Sequence, residues 1–163
     1  MDMREIKTGI KQVGFTLIEL MITLLIAGVI LSFAIPAFDN VTANNALRST
    51  AADLITALNT ARVQSVSLRD TVQVQPQSGT DWGSGWKLSY SNAGSPEQEK
   101  SFTPRGGVSV TQTEGSAGPQ FYANGFVSEA VTWTICDGRS GETGRKIHVS
   151  PVGRVSNTEE VCS

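Results

Sequence analysis

Residues 15–35 of this 163-residue chain, FTLIELMITLLIAGVILSFAI, are an apolar run with a single acid, Glu19. As a helix, 21 residues span about 32 Å, enough for a hydrocarbon core of about 30 Å. Thirteen of them are Leu, Ile, Val or Phe, and each favours insertion by roughly 0.3–0.6 kcal/mol. Their sum of about 5 kcal/mol outweighs one intramembrane carboxylate at roughly 3 kcal/mol. The segment therefore inserts despite Glu19. Arg4, Lys7 and Lys11 precede it, which places the N-terminus in the cytoplasm and the bulk of the chain across the membrane. Ser32-Phe33-Ala34 has the small-x-small form of a signal-peptidase site. Cleaved signal peptides, however, have apolar cores of about 7–15 residues and avoid acids. An acid inside a membrane helix needs a positive partner. No Lys or Arg lies within this run, so the partner is another chain or a new N-terminal amine.

The remainder reads as one soluble domain rich in Gly, Ser and Thr. The formal charge of −2 argues against a protein that coats nucleic acid wholesale. Pro36 either bends the helix by removing one hydrogen bond or marks its end. In the second case Asp39 or Asn40 caps a restarted helix. Over residues 39–69, Leu47, Ala51, Leu54, Leu58, Ala61, Ser65 and Leu68 fall at alternating spacings of 4 and 3, one stripe of an amphipathic helix. From Thr71 the pattern becomes short alternations, TVQVQ, GWKLSY, GVSVTQ, QFYA, VTWTIC, RKIHVS and GRVS, which read as strands. The Gly- and Ser-rich stretches 78–84, 91–96, 114–118 and 138–144 separate them. A long helix followed by consecutive strands gives an α+β class with antiparallel sheet. Trp82, Trp86 and Trp133 are expected as packing anchors.

Cys136 and Cys162 are the two cysteines. In an oxidising compartment an even count favours a bridge. It would close a loop of about 27 residues and contribute roughly 3–4 kcal/mol; two buried thiols are the alternative. With His148 as the lone histidine, the cysteines make a poor tetrahedral metal set. His148 alternates with Ile147 and Val149, and no nucleophile elbow, phosphate loop or metal spacing accompanies it. The chain is expected to be neither an enzyme nor a cofactor carrier.

The heptapeptide GFTLIEL, Gly14 to Leu20, resembles the type III signal of type IV pilins and type II secretion pseudopilins. The resemblance implies a type IV pilin fold, a long N-terminal helix packed on antiparallel sheet. It also implies a leader, residues 1–14, removed by a prepilin peptidase after Gly14, with the new N-terminal Phe15 N-methylated. Residues 15–38 would be the transmembrane helix, 39–69 the amphipathic helix and 70–163 a periplasmic β-rich domain of a single-pass inner-membrane protein. Glu19 would pair with the N-terminal amine of a neighbouring subunit, so that an acid costly alone is compensated on docking and sets register between helices.

The C-terminal stretch 121–162 resembles the GspH/FimT branch of minor pilins and pseudopilins. The resemblance rests on Asn124-Gly125, Ile135–Asp137, Gly144-Arg145 and Ser150–Val155. SPVGR is a good hairpin turn, because Pro151 presets φ and Gly153 is permissive. Around it lie Arg139, Arg145, Lys146 and Arg154, with Glu142 the one acid between the first and last. In FimT-like members the "GR" basic motif contacts DNA, which carries over to Gly144 and Arg145. The second arginine associated with that motif is replaced by Ile147. A basic loop of this size suits weak, salt-sensitive phosphate contact. Alternatively, Arg145 and Arg154 pair with Asp137, Glu159 or Glu160. The expected function is that of a minor pilin in a type IV pilus system, assembling with other pilins and binding DNA for uptake in transformation. The alternative is a minor pseudopilin of a type II secretion system.

Overall fold

The computed structural model describes residues 14–92, 100–139 and 141–162, and only the backbone of 34–37. Most of the expected leader, residues 1–13, lies outside the described residues, as do residues 93–96 of the separator 91–96. The chain divides into two units, Met1–Asp39 and Asn40–Ser163.

Helix α1 runs Leu17–Leu68. Pro36 therefore sits inside a continuous helical assignment, and neither Asp39 nor Asn40 caps a second helix. In the first unit the large apolar side chains from Phe15 to Phe33 are all more than half exposed. An 18-residue window of α1 reaches a mean hydropathy of 2.5, long and apolar enough to cross a membrane. Its hydroxyls cost little there. Thr23 Oγ1 donates to Leu20 O at 2.9 Å and Ser32 Oγ to Val29 O at 2.7 Å, so each is satisfied within the helix.

In the second unit the expected stripe of α1 faces the core. Leu47, Ala51, Leu54, Leu58, Ala61 and Ser65 are buried, joined by Thr50 and Ala57; Leu68 is half-buried. The two hydroxyls on that face have partners. Thr50 Oγ1 accepts from Arg105 N at 3.1 Å, and Ser65 Oγ donates to Arg62 O at 2.9 Å.

Among the described residues, eight strands form two four-stranded sheets. They are β1 (Val72–Ser78), β2 (Asp81–Tyr90), β3 (Ser101–Phe102), β4 (Val108–Glu114), β5 (Gln120–Phe121), β6 (Val131–Asp137), β7 (Thr143–Val149) and β8 (Val155–Val161). The orders are β3-β2-β1-β5 and β4-β6-β7-β8, and every pairing is antiparallel. In the second sheet the register aligns Gln112, Trp133, Ile147 and Asn157 in one row and Val110, Ile135, Arg145 and Glu159 in another. β8 is an outer strand of this sheet, with Asn157, Thr158 and Glu159 exposed. Trp86 and Trp133 are fully buried, and Trp82 meets Trp133 edge-on at 5.0 Å. All three tryptophans are thus packing anchors.

One strand was not expected from the sequence, and several boundaries differ. β2 begins at Asp81, inside the stretch 78–84 read as a separator. β3, two residues long, carries too little pattern to read. β7 starts at Thr143, and β8 runs to Val161 rather than ending at Ser156. The extension takes in Glu159 and Glu160, which pair with the cations of β7.

Candidate functional site

Glu19 lies in the first turn of α1. Its backbone N–H donates to Thr16 Oγ1 at 3.3 Å, and Leu20 N donates to Thr16 O at 3.2 Å. Thr16 is therefore the N-cap and Glu19 the third helical residue, the T-x-x-E spacing of a capping box. That position sits in the positive end of the helix dipole, so the carboxylate has a local stabiliser within its own chain. This stabiliser lies in the same chain rather than in another amine. The T-x-x-E spacing was the signal that would have revealed this one.

The C-terminal motif residues assemble differently from a shared basic loop. Arg145 and Lys146 are successive residues of β7, so they point to opposite faces of the sheet. Arg145 Nη1 lies 3.6 Å from Glu159 Oε1, directly across on β8, and Lys146 Nζ lies 3.1 Å from Glu160 Oε2. Arg139 is more heavily engaged. Its Nε donates to both oxygens of Asp137 at 3.2 and 3.1 Å, and Nη2 reaches Asp137 Oδ2 at 2.6 Å. Asp137 Oδ1 also accepts from Arg139 N at 3.1 Å. The guanidinium beside Asp137 holds that carboxyl below its usual range, against the opposing effect of burial. The carboxylate in turn raises the pKa of Arg139.

Arg139 has two further acceptors on α1. Nη1 donates to Asn40 Oδ1 at 3.0 Å and Nη2 to Asn44 Oδ1 at 2.6 Å. Arg154 is exposed and is in no ion pair among the described residues.

Cys136 and Cys162 are joined by a disulfide. It links β6 to the end of β8 across the intervening β7. Gly144 lies beneath it. A Cβ there would come within 2.5 Å of Ile135 O, 3.0 Å of Cys136 Sγ and closer still to Cys162 Sγ. The glycine of "GR" is thus the space through which the bridge crosses the strand. Cys162 also holds Gly141 and Glu142, donating from N to Glu142 O at 2.9 Å and accepting at O from Gly141 N at 3.3 Å.

The other two motifs form a pair of turns. Gly125 has φ 76° and donates to Tyr122 O at 2.8 Å; Gly153 has φ 75° and donates to Ser150 O at 2.8 Å. These left-handed positions favour glycine. Val127 N donates to Pro151 O at 2.8 Å, and Arg62 Nη2 of α1 to Val152 O at 3.3 Å. SPVGR is therefore the expected turn, from β7 to β8, and it rests on the NG turn and on the helix.

His148 faces Thr132 across the β6–β7 pair, with Nδ1 2.9 Å from Thr132 Oγ1. Thr132 Oγ1 donates to Glu114 Oε2 at 2.6 Å. The histidine is a cross-strand partner in a hydrogen-bonded row. A cleft of about 560 Å³ lies between the β1–β2 hairpin and β4, lined mainly by uncharged residues such as Gln73, Gln75, Thr111 and Gln112.

A family model described as "Type II transport protein GspH" matches residues 50–153, more than half of the chain. The chain belongs to the GspH family. The prokaryotic N-terminal methylation motif matches residues 11–35. Among solved structures, the chain resembles the type IV minor pilin FimU of Pseudomonas aeruginosa, at 24% identity and a TM-score of 0.61. The match covers 74% of this chain and 95% of that one. It also resembles the minor pseudopilin EpsH from the type 2 secretion system of Vibrio cholerae, at 10% identity and a TM-score of 0.54, covering 69% and 95%. No curated protein matches significantly. The fold of this GspH-family chain is that of a type IV pilin, shared with these minor pilin and pseudopilin structures.

Proposed function

We propose that this GspH-family chain is a minor subunit of a type IV pilus. Prepilin peptidase would remove residues 1–14, Phe15 would be N-methylated, and α1 would hold the subunit in the inner membrane with the β-rich domain in the periplasm until assembly. One observation carries the reading. The apolar side chains of α1 are exposed from Leu17 to Phe33, with one carboxylate, Glu19, at its first turn. Lipid covers such a surface before assembly and the helices of other pilins cover it afterwards. The N-methylated but still cationic amine of a neighbour's Phe15 supplies a full opposite charge, beyond the helix-end stabilisation that Glu19 has within its own chain.

The test is Glu19→Ala in the full chain, followed through sheared fibres and through the N-terminal mass of the processed protein. Loss of the subunit from fibres, with cleavage after Gly14 intact, supports the reading. Unchanged incorporation, or an intact leader in the wild-type protein, overturns it. The family description favours a second reading, a pseudopilin of a type II secretion system. Deleting the chain separates the two, since a pseudopilin's loss stops protein export and a pilin's loss stops fibre formation.

For the DNA contact implied by the FimT resemblance, the geometry supports Arg154 above the others. Arg139, Arg145 and Lys146 are each paired with an acid. One arginine neutralises about one phosphate, so binding should fall with salt at a logarithmic slope near −1. Duplex binding that Arg154→Ala leaves unchanged would remove this assignment.

A further inference from the structure

Arg139 is one of the cations that the sequence assigns to a phosphate-binding loop, yet it is the most fully bonded side chain of the cluster. Its planar fork is hydrogen-bonded to three partners, with Glu142 a further acid 4.0 Å from Nη1. One edge chelates Asp137, and the two terminal nitrogens reach Asn40 and Asn44. Asn40 and Asn44 are one helical turn apart, so they share a face of α1. They lie at the start of the compact unit Asn40–Ser163. The Asp137 end is fixed in turn. Asp137 ends β6, next to Cys136 and its bridge to Cys162, and its side chain is 5% exposed.

We propose that Arg139 is a positioning residue. It ties the first turn of the domain's helix to the disulfide-anchored end of β6, and it holds that turn in place before the buried stripe begins at Leu47. The sequence of the tie is Cys162, Cys136, Asp137, Arg139, then Asn40 and Asn44. Lysine would not replace Arg139, because an ammonium is a point donor and cannot span a carboxylate and two amides in one plane.

Local helix propensity makes the test sharp. Asn is a poorer helix former than Ala. Replacing Asn40 and Asn44 by Ala should slow amide exchange in that turn if propensity alone governs it, and hasten it if the tie does. Hydrogen exchange is read on the oxidised full chain in detergent micelles. The expected result is that Arg139→Ala, and separately Asn40→Ala with Asn44→Ala, speed exchange at the amides of residues 44–48 at least tenfold. Trp133 and Ile147, in the middle of β6 and β7, should stay within twofold. Arg139→Lys should recover less than half of the lost protection on a logarithmic scale. Slower or unchanged exchange at residues 44–48 in the double asparagine variant overturns the proposal. That variant keeps Asp137, Arg139 and the bridge intact, so it decides the matter even where Arg139→Ala fails to fold. The readout is independent of fibre assembly, so it stands or falls apart from the pilus reading.

Discussion

Gly144→Ala tests the account of the disulfide crossing most directly. Gly144 does not occupy the left-handed region, so its backbone conformation suits alanine and only space opposes the change. The new Cβ would fall within 3.0 Å of both sulfurs and within 2.5 Å of Ile135 O. Carbon normally sits about 3.5–4.0 Å from such neighbours. Relief requires the bridge or the β6–β7 ladder to move by roughly 1 Å. Overpacking of this kind costs about 1–3 kcal/mol, and the reduced freedom of the unfolded chain returns about 0.4–1 kcal/mol. The net expectation is a loss of about 1–2 kcal/mol in denaturant unfolding of the oxidised full chain in micelles. Repeating the substitution with Cys136→Ala and Cys162→Ala removes both sulfurs and leaves only the Ile135 carbonyl. The cost should then shrink by about 1 kcal/mol, a coupling that a double-mutant cycle resolves. An equal cost in both backgrounds would refute the claim that Gly144 makes room for the bridge.

Three further expectations follow from the same geometry. Removing the bridge itself, by Cys136→Ala with Cys162→Ala, should cost about 3–4 kcal/mol from loop closure, read as a lower denaturant midpoint. Asp137 is held low by the Arg139 side chain, Asp70 by the Ser91 hydroxyl, and Glu129 by the Ala117 backbone N–H and the Ser116 hydroxyl. Depressed carboxyl pKa values contribute stability that is fully present above the unfolded values near 4 and is lost as pH falls through the folded ones. Unfolding midpoints should therefore be flat from pH 7 to about 5 and decline below about 4, and a midpoint that rises on acidification would contradict the assignment. Arg145→Ala should cost about 0–1 kcal/mol, because its partner Glu159 is largely exposed. A larger loss in thermal unfolding would show that the pair is not an ordinary surface one.

Much of the architecture is legible in single residues. The 4, 3 spacing from Leu47 to Ser65 becomes the buried face of α1 because a helix returns to the same side at that interval. The alternations VTWTIC and RKIHVS become adjacent strands, with Trp133 facing Ile147. SPVGR marks its own turn through Pro151 and Gly153. The basic cluster was harder to read. Arg139, Arg145, Lys146 and Arg154 are close in sequence, but strand alternation sends Arg145 and Lys146 to opposite faces. The expectation of a strand over 145–150 already contained that separation. Arg139 was out of reach for a different reason: its acceptors, Asn40 and Asn44, are almost a hundred residues away, and no local pattern connects them. Gly144 looked like part of a binding motif, while its role follows from the bridge above it, which only the strand order reveals.

The outer position of β8 bears on how such subunits meet. Among the described residues no strand pairs with its outer side, yet the side chains along its middle are Asn157, Thr158, Glu159 and Glu160, with Val161 exposed at its end. A rim so hydrophilic is a poor template for strand-to-strand stacking of crowded copies. Edge-to-edge adhesion of neighbouring copies is thereby discouraged along this side of the domain.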